Sequence, residues 1–495
     1  MFANPLPDLI LGDPFVLRHG GRFYLYGTND GPPLADGRAI PVYRSDDLLN
    51  WEPLGGALEP LEPGADHWAP EVLAWNGRFY MVVSFGDVEQ RGHALWIAVA
   101  ERPEGPYEFR QRVSDPSEAF AIDGSWLLDD DGRLYLFHCL DYIAEDDPPH
   151  GTGIVVRPMR DPLTPAGLPK PVLRAHAPWH LFEAERVMPL YGGRTFSEWT
   201  TIEGPAPVKR RGRYFCGYSG GNYGRAYGTG EAVADGPLGP YTDLRGREGP
   251  LFGTTAGLVE GPGHFSVVRP DLVHDWIVLH GRRPGRPGRS VWLCPASWED
   301  DGVRIGPLTD RPQPAPPLPL LVVRGAGFDP PGPPDWSVAG GSWRVDADGL
   351  HQEDPAARES VARRREAAPG DDWVAEVWIR YPGPGEAAAG LEVVPAGQEA
   401  GTRVRIDPGR GLLEATHPRG LVSAPLPTLG SIAFDPRAFH ALEVRVRGGA
   451  AGILLDGVRV LDALPMPGSP TRIGLIASGP ADFDALAVTA GGDGT

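Results

Sequence analysis

The 495-residue chain carries 46 Lys and Arg against 65 Asp and Glu, a formal net charge of −19 at pH 7. That balance excludes the basic surface that nucleic acid or an anionic membrane requires, and no run approaches the ~18 consecutive apolar residues of a spanning helix. The 67 Gly and 56 Pro lie between apolar runs that hold most of the 14 Trp, 14 Tyr and 17 Phe, which predicts an all-β protein with many tight turns. The opening MFANPLPDLILGDP has no basic region followed by a long apolar core, so the chain reads as cytoplasmic, without a signal peptide. Cys139, Cys216 and Cys294 each fall in or beside an apolar run and read as buried free thiols.

In chain order, one phrase recurs: a turn, then a short aromatic and β-branched run. It is GRFYLYG from Gly21, GRFYMVVSF from Gly77, GRLYLFHC from Gly132, GRYFCGYSGG from Gly212 and DWIVLHG from Asp275. Repeats of this size that cannot bury a sheet alone predict a five-bladed β-propeller over residues 1–310. A second motif, EGPYEF from Glu104 and LGPYTD from Leu238, recurs near blade edges. The fourth repeat arrives late, after an insertion around His176–Trp199, and long loops on rigid scaffolds often shape binding sites. Residues 311–325, with RPQPAPPLP, read as a stiff linker. From 326 to 495, alternating runs such as WVAEVWIRY and LEVRVRG predict a concanavalin-like or jelly-roll β-sandwich accessory domain.

Asp13, Asp123 and Glu203 stand eight, nine and nine residues ahead of Gly21, Gly132 and Gly212. Matched positions on successive blades converge at the propeller axis, where gathered carboxylates shift one another's pKa values, as acid–base work requires. Glu183 and Glu185, in the insertion, are rivals to Glu203. Trp68 and Trp126 flank the acidic positions and are the candidate rings beneath a sugar, or else blade-to-blade core. Arg282 is a candidate for a substrate hydroxyl, or a surface ion pair. No HExxH or Cys–His cluster points to a catalytic zinc.

These acids, together with HWAPEV (His67–Val72), SDDLLNWEPL (Ser45–Leu54) and GPGHFSVVRP (Gly261–Pro270), resemble glycoside hydrolase family 43 over about residues 8–310. The resemblance implies a five-bladed propeller that hydrolyses arabinofuranosides, xylosides and related glycosides or oligosaccharides with inversion. It makes Asp13 the general base, Glu203 the general acid and Asp123 the residue that orients the site and raises the acid's pKa. It also implies a structural calcium in the central channel beside His264, though no cofactor for the chemistry. A second histidine often adjoins the first in that motif; here Phe265 takes its place, and His280 is a structural or second channel residue. Two other readings stay open. One is a retaining five-bladed glycosidase, whose WMNDPNG-type opening is absent, and the other is a carbohydrate-binding propeller without turnover. The sandwich resembles the accessory domain of many family members.

Overall fold

The computed structural model describes residues 1–62, 65–87, 92–243, 245, 248–300, 302–328, 336–383, 387–468 and 471–491. In it the repeated phrase is a hairpin. Asn76 (φ 53°) and Gly77 (φ 72°) take the left-handed conformation that a two-residue connection needs, and the run after the turn forms the second strand of an antiparallel sheet. Blade 1 is Leu11–His19, Arg22–Asn29, Ala39–Ser45 and Glu52–Leu58, and blade 2 is Asp66–Trp75, Arg78–Asp87, Gly92–Ala100 and Glu108–Arg112. Blade 3 is Ala121–Leu128, Leu134–Tyr142, Gly151–Asp161 and Lys170–Leu173. Blade 4 is Arg194–Arg210, Arg213–Gly220, Gly228–Ala234 and Phe252–Gly253, and blade 5 is Glu260–Val268, Asp275–Arg282, Ser290–Glu299 and Gly302–Ile305. Each innermost strand packs on the next, and that of blade 5 packs on that of blade 1, so the ring is closed.

The N-terminal segment fastens the closure to blade 5. Leu6 N donates to Val291 O at 2.8 Å, and the Asn4 amide exchanges bonds with the Leu293 backbone, both at 2.8 Å. Apolar side chains between neighbouring blades form the propeller's cores, such as Tyr26, Val42, Met81, Val83 and Tyr107 between blades 1 and 2. The three cysteines are buried free thiols, as expected. Among the described residues no helix is long and apolar enough to cross a membrane.

The insertion folds as a single turn at Pro178–His180, followed by a strand, Leu181–Met188, paired with Arg194–Thr200. The innermost strand of blade 4 is therefore 17 residues long, and its first half projects beyond the ring as a hairpin. A cluster of Met188, Phe196 and Trp199 stiffens that hairpin.

Beyond the propeller, the described residues form two antiparallel sheets of eight and seven strands that face each other across one core built by Val377, Leu391, Val404, Leu442, Leu475 and their neighbours. Leu321–Val323 pairs with Leu486–Val488, so the sandwich's first strand begins within the proline-rich stretch. Gln313, in the same stretch, exchanges backbone bonds with Phe2 at 2.8 and 2.9 Å. The sandwich packs directly on the propeller: Leu272 and Val273 meet Val374 and Ala487, and Arg18 Nη1 reaches both oxygens of Glu376 at 2.8 and 3.0 Å.

Candidate active site

Every innermost strand has the same irregularity where it enters the ring. The ladder slips between Gly12 and Phe15, Trp68 and Glu71, Ile122 and Ser125, Glu203 and Ala206, and Gly263 and Ser266. At the slip stands one residue with positive φ: Asp13 (50°), Ala69 (46°), Asp123 (57°), Gly204 (59°) and His264 (45°). Such bulges turn a strand and re-aim the side chains around them. The freed N–H of each bulge faces a side chain on the second strand of the preceding blade. Ala69 N donates to Thr28 Oγ1 at 2.9 Å, Asp123 N to Ser84 Oγ at 3.0 Å, His264 N to Ser219 Oγ at 2.7 Å and Asp13 N to His280 Nδ1 at 3.1 Å. Gly204 N faces the Cys139 thiol and donates to Asp123 Oδ2 at 2.9 Å. One acceptor per blade thus completes a ring of bonds around the axis.

This ring corrects the matched trio. Asp13 and Asp123 are equivalent bulge residues, whereas Glu203 lies one place earlier, in the position of Gly12, Trp68, Ile122 and Gly263. The turn at Asp129–Gly132 is one residue longer than its counterparts, which disguised the difference as equal spacing. The glycines in that ring position serve the site. A Cβ on Gly12 would stand 1.8 Å from Arg289 Cζ, and one on Gly263 would stand 2.5 Å from the Tyr227 ring.

Asp13, Glu71, Asp123 and His264 each expose 9% or less of their surface. Burial alone would push the Asp13 carboxyl up, but Arg289 and His264 outweigh it and hold the group well below the usual carboxylate range. Arg289 Nη1 sits 2.8 Å from Asp13 Oδ1, His264 Nδ1 lies 3.2 Å from the same oxygen, and Thr28 Oγ1 donates to Oδ2 at 2.6 Å. Asp30 fixes the Arg289 fork through Nε and Nη2, both at 2.8 Å. His264 is pushed the other way. Burial opposes its charge, but Asp13 and Asp123 raise it to about 9, so it is an imidazolium at neutral pH.

Glu203 has the opposite setting. Burial, and then the Asp123 carboxylate, push it up to about 8, against the bond that Tyr227 Oη donates to its Oε1 at 2.8 Å. The Tyr227 ring stacks on His280 at 5.8 Å, linking the two carboxylates' surroundings. Burial lowers His280 to about 4 and keeps it neutral, as an acceptor for the Asp13 N–H. One channel therefore holds a carboxylate kept ionised and a carboxylic acid kept protonated at neutral pH, the division of labour of an acid–base pair.

A family model for glycosyl hydrolases family 43 matches residues 2–304, which span the whole propeller. The chain belongs to that family. A non-reducing-end α-L-arabinofuranosidase of Bacteroides ovatus is 25% identical over 328 residues, 61% of this chain and 52% of that one. A solved thermostable family-43 glycoside hydrolase is 30% identical and covers 64% of this chain and 99% of its own, with a TM-score of 0.55. A solved family-43 protein of Bacillus licheniformis, in a mutant form, is 20% identical; it covers 99% of both chains at a TM-score of 0.50 and shares the fold, sandwich included. The chain spans 28% and 52% of the length of the first curated relatives it matches.

In this family-43 chain the rival acids fall away, because Glu183 and Glu185 are exposed on the hairpin. Trp68 is half-buried in Glu203's ring position and stacks on His93 at 4.0 Å, next to the channel. Trp126 does not line the site. It packs in the core between blades 2 and 3, because strand alternation beyond the bulge turns it there. Arg282 does not reach the acids either: it donates to Tyr223 O at 2.7 Å and lies over that ring at 5.7 Å. Arg289, seven residues later, is the arginine of the site.

The implied calcium does not suit these residues. Calcium prefers six to eight oxygen ligands, whereas His264, the residue that would hold it, offers ring nitrogens, of which Nδ1 faces Asp13 Oδ1 at 3.2 Å. Among the described residues no group of three or more His, Cys, Asp or Glu side chains could hold an ion. His264 fits the role of a counter-charge shared by Asp13 and Asp123, 3.2 and 3.9 Å away.

Glu71, in HWAPEV, escaped the sequence reading. Burial pushes it up to about 8, and it accepts bonds from Ser125 Oγ at 2.8 Å and Trp126 N at 3.2 Å, just beyond the Asp123 bulge. It pins that bulge from the neighbouring blade as a neutral acid. Glu71→Gln is expected to keep wild-type stability. Glu71→Ala, which strands two buried donors, is expected to cost about 1–3 kcal/mol in urea unfolding. Equal losses in the two variants would sink this role.

Proposed function

We propose that this chain hydrolyses glycosidic bonds to arabinofuranosyl or xylosyl units in oligosaccharides, with inversion at the anomeric carbon. The observation that carries the reading is the opposed protonation of Asp13 and Glu203 in one channel. Inverting hydrolysis needs a carboxylate that activates water on one face of the sugar and a carboxylic acid that protonates the departing oxygen on the other. Asp13, held ionised by Arg289 and His264, suits the base. Glu203, held protonated by burial and by Asp123, suits the acid. Asp123 keeps the acid's pKa high and accepts the Gly204 N–H at the next bulge, which places Glu203 one residue away.

In the attack, the water's oxygen bonds to the anomeric carbon as Asp13 takes one of the water's protons. Glu203 gives its proton to the leaving oxygen as the glycosidic bond breaks. Asp13 then releases its proton to solvent and Glu203 takes one up, which restores both groups for the next turnover. The choice of sugar follows the relatives: one is named a non-reducing-end α-L-arabinofuranosidase and another, from Streptomyces chartreusis, an exo-α-(1→5)-L-arabinofuranosidase. The test is proton NMR of early product from an arabinofuranosyl or xylosyl oligosaccharide. The first sugar released is expected in the anomeric form opposite to the substrate's. Retained configuration would replace the mechanism, and no release of sugar from either class would overturn the reading.

A further inference from the structure

The hairpin that lengthens blade 4 carries a guanidinium that the proposed chemistry does not use. Arg186 is half-buried and paired across the hairpin with Phe196. Its Cζ stands over the Phe182 ring at 4.2 Å and over Trp199 at 5.6 Å. Among the described residues no acceptor lies within hydrogen-bonding distance of its nitrogens, and none of those nitrogens is sealed from solvent. Arg186 is held by the strand Arg194–Arg210, which runs on without a break from Phe196 to Glu203, so it stands on the Glu203 side of the channel mouth.

The residues beside it build a wall. The Phe182 and Tyr223 rings approach to 6.2 Å, and Asn222 Nδ2 donates to Phe182 O at 3.1 Å, tying the hairpin to the loop that carries Tyr223. Arg282 in turn holds Tyr223 by its carbonyl. Tyr223 is 50% exposed; Arg282 lies over its ring at 5.7 Å, and the rest of the ring stands beside a fork of unused donors. Guanidinium donors beside aromatic faces are what a sugar ring needs: hydroxyls for the first, an apolar face for the second.

We propose that Arg186 is a specificity-determining residue that binds the hydroxyls of the leaving-group sugar, with Phe182 and Tyr223 beneath or beside that sugar. The inference rests on Glu203 being the general acid, since that assignment makes its side of the channel the leaving-group side. It deepens the functional reading by tying preference for an oligosaccharide over a simple glycoside to the inserted hairpin. Stacking on Phe182 and Trp199 pre-organises the fork, so little side-chain entropy is lost when the sugar arrives.

The test compares two substrates that share the same non-reducing sugar, an oligosaccharide and its 4-nitrophenyl glycoside. Arg186→Met keeps an apolar stem on Phe182 and removes the donors. Its kcat/KM on the oligosaccharide is expected to fall about 10- to 100-fold, the worth of hydrogen bonds to a charged group. On the aryl glycoside, which offers no hydroxyls there, the fall is expected to stay within about threefold. Equal losses on both substrates, or none on either, would overturn the proposal. Calorimetric titration of the oligosaccharide into Glu203→Gln, with and without Arg186→Met, reads the same contact without turnover. A Kd raised about tenfold or more supports it even if the wild type cleaves neither substrate, and an unchanged Kd or no binding refutes it. Absence of cleavage by the wild type would count against the glycosidase reading instead.

Discussion

Asp13→Asn is expected to lower kcat at least a thousandfold on every substrate, whatever the leaving group. Glu203→Gln is expected to lower it about a thousandfold on oligosaccharides, but only about tenfold on a 2,4-dinitrophenyl glycoside. General acid or base assistance contributes roughly 10²–10⁴ in rate. The acid's share shrinks when the departing oxygen is already a weak base, whereas the base's share is unaffected because water must be activated in every case. Both substitutions keep the shape of the site. Arg289 retains Asp30 at 2.8 Å when the Asp13 charge is lost, so the buried guanidinium is not left unpaired. In Glu203→Gln the amide oxygen remains to accept from Tyr227 Oη, now 2.8 Å from Oε1. Steady-state rates across a series of leaving groups check this. A Glu203 variant that loses the same factor throughout would remove it from the role of acid, and a leaving-group-dependent Asp13 variant would reverse the two assignments.

The propeller was legible in the sequence because hairpin turns and β-branched, aromatic runs are local signals, and five copies of a local signal reveal a ring. Asp13 and Asp123 could be found for the same reason: both sit at the bulge of an innermost strand, at a nearly fixed distance from the turn glycine. Glu203 was found with them through a spacing that an extra turn residue had distorted. Arg289 left no comparable trace. It lies in GRPGR, a run of glycine, proline and arginine without periodicity, and it meets Asp13 across 276 residues of sequence only because blade 5 closes on blade 1. Tyr227, six residues past GRYFCGYSGG, and Glu71, inside HWAPEV, were hidden alike, because their partners Glu203 and Ser125 are set by a register that only the folded sheets display. Trp126 and Arg282 are merely near such motifs in the sequence, and nearness is the weaker guide. Past a bulge, a shift of one residue decides whether a side chain faces the axis or the next blade.

Asp123→Asn is expected to move the basic limb of the kcat/KM profile to lower pH. The working form of Glu203 is protonated, so activity is present below its pKa and is lost as pH rises through it; for the wild type that limb falls near pH 8. Burial is the larger cause of the elevation and survives the substitution. The like charge of Asp123 is the second cause and does not survive, so the limb settles between its present place and the ordinary carboxylate range. Each unit of displacement represents about 1.4 kcal/mol of lost preference for the protonated acid. The variant is therefore expected to lose about tenfold or more at pH 8, and less at pH 5, where a larger share of Glu203 is protonated in both proteins. Asp13 lies well below this range and stays ionised, so the acidic side of the profile is expected to change little. His264 would lose one of its two carboxylate neighbours but keep Asp13 at 3.2 Å, and with it the greater part of what holds it cationic. A loss of the same size at pH 5 and pH 8 would mean that Asp123 acts only by shaping the Gly204 bulge. A limb that moves with the charge would mean that its carboxylate sets when the acid can give up its proton.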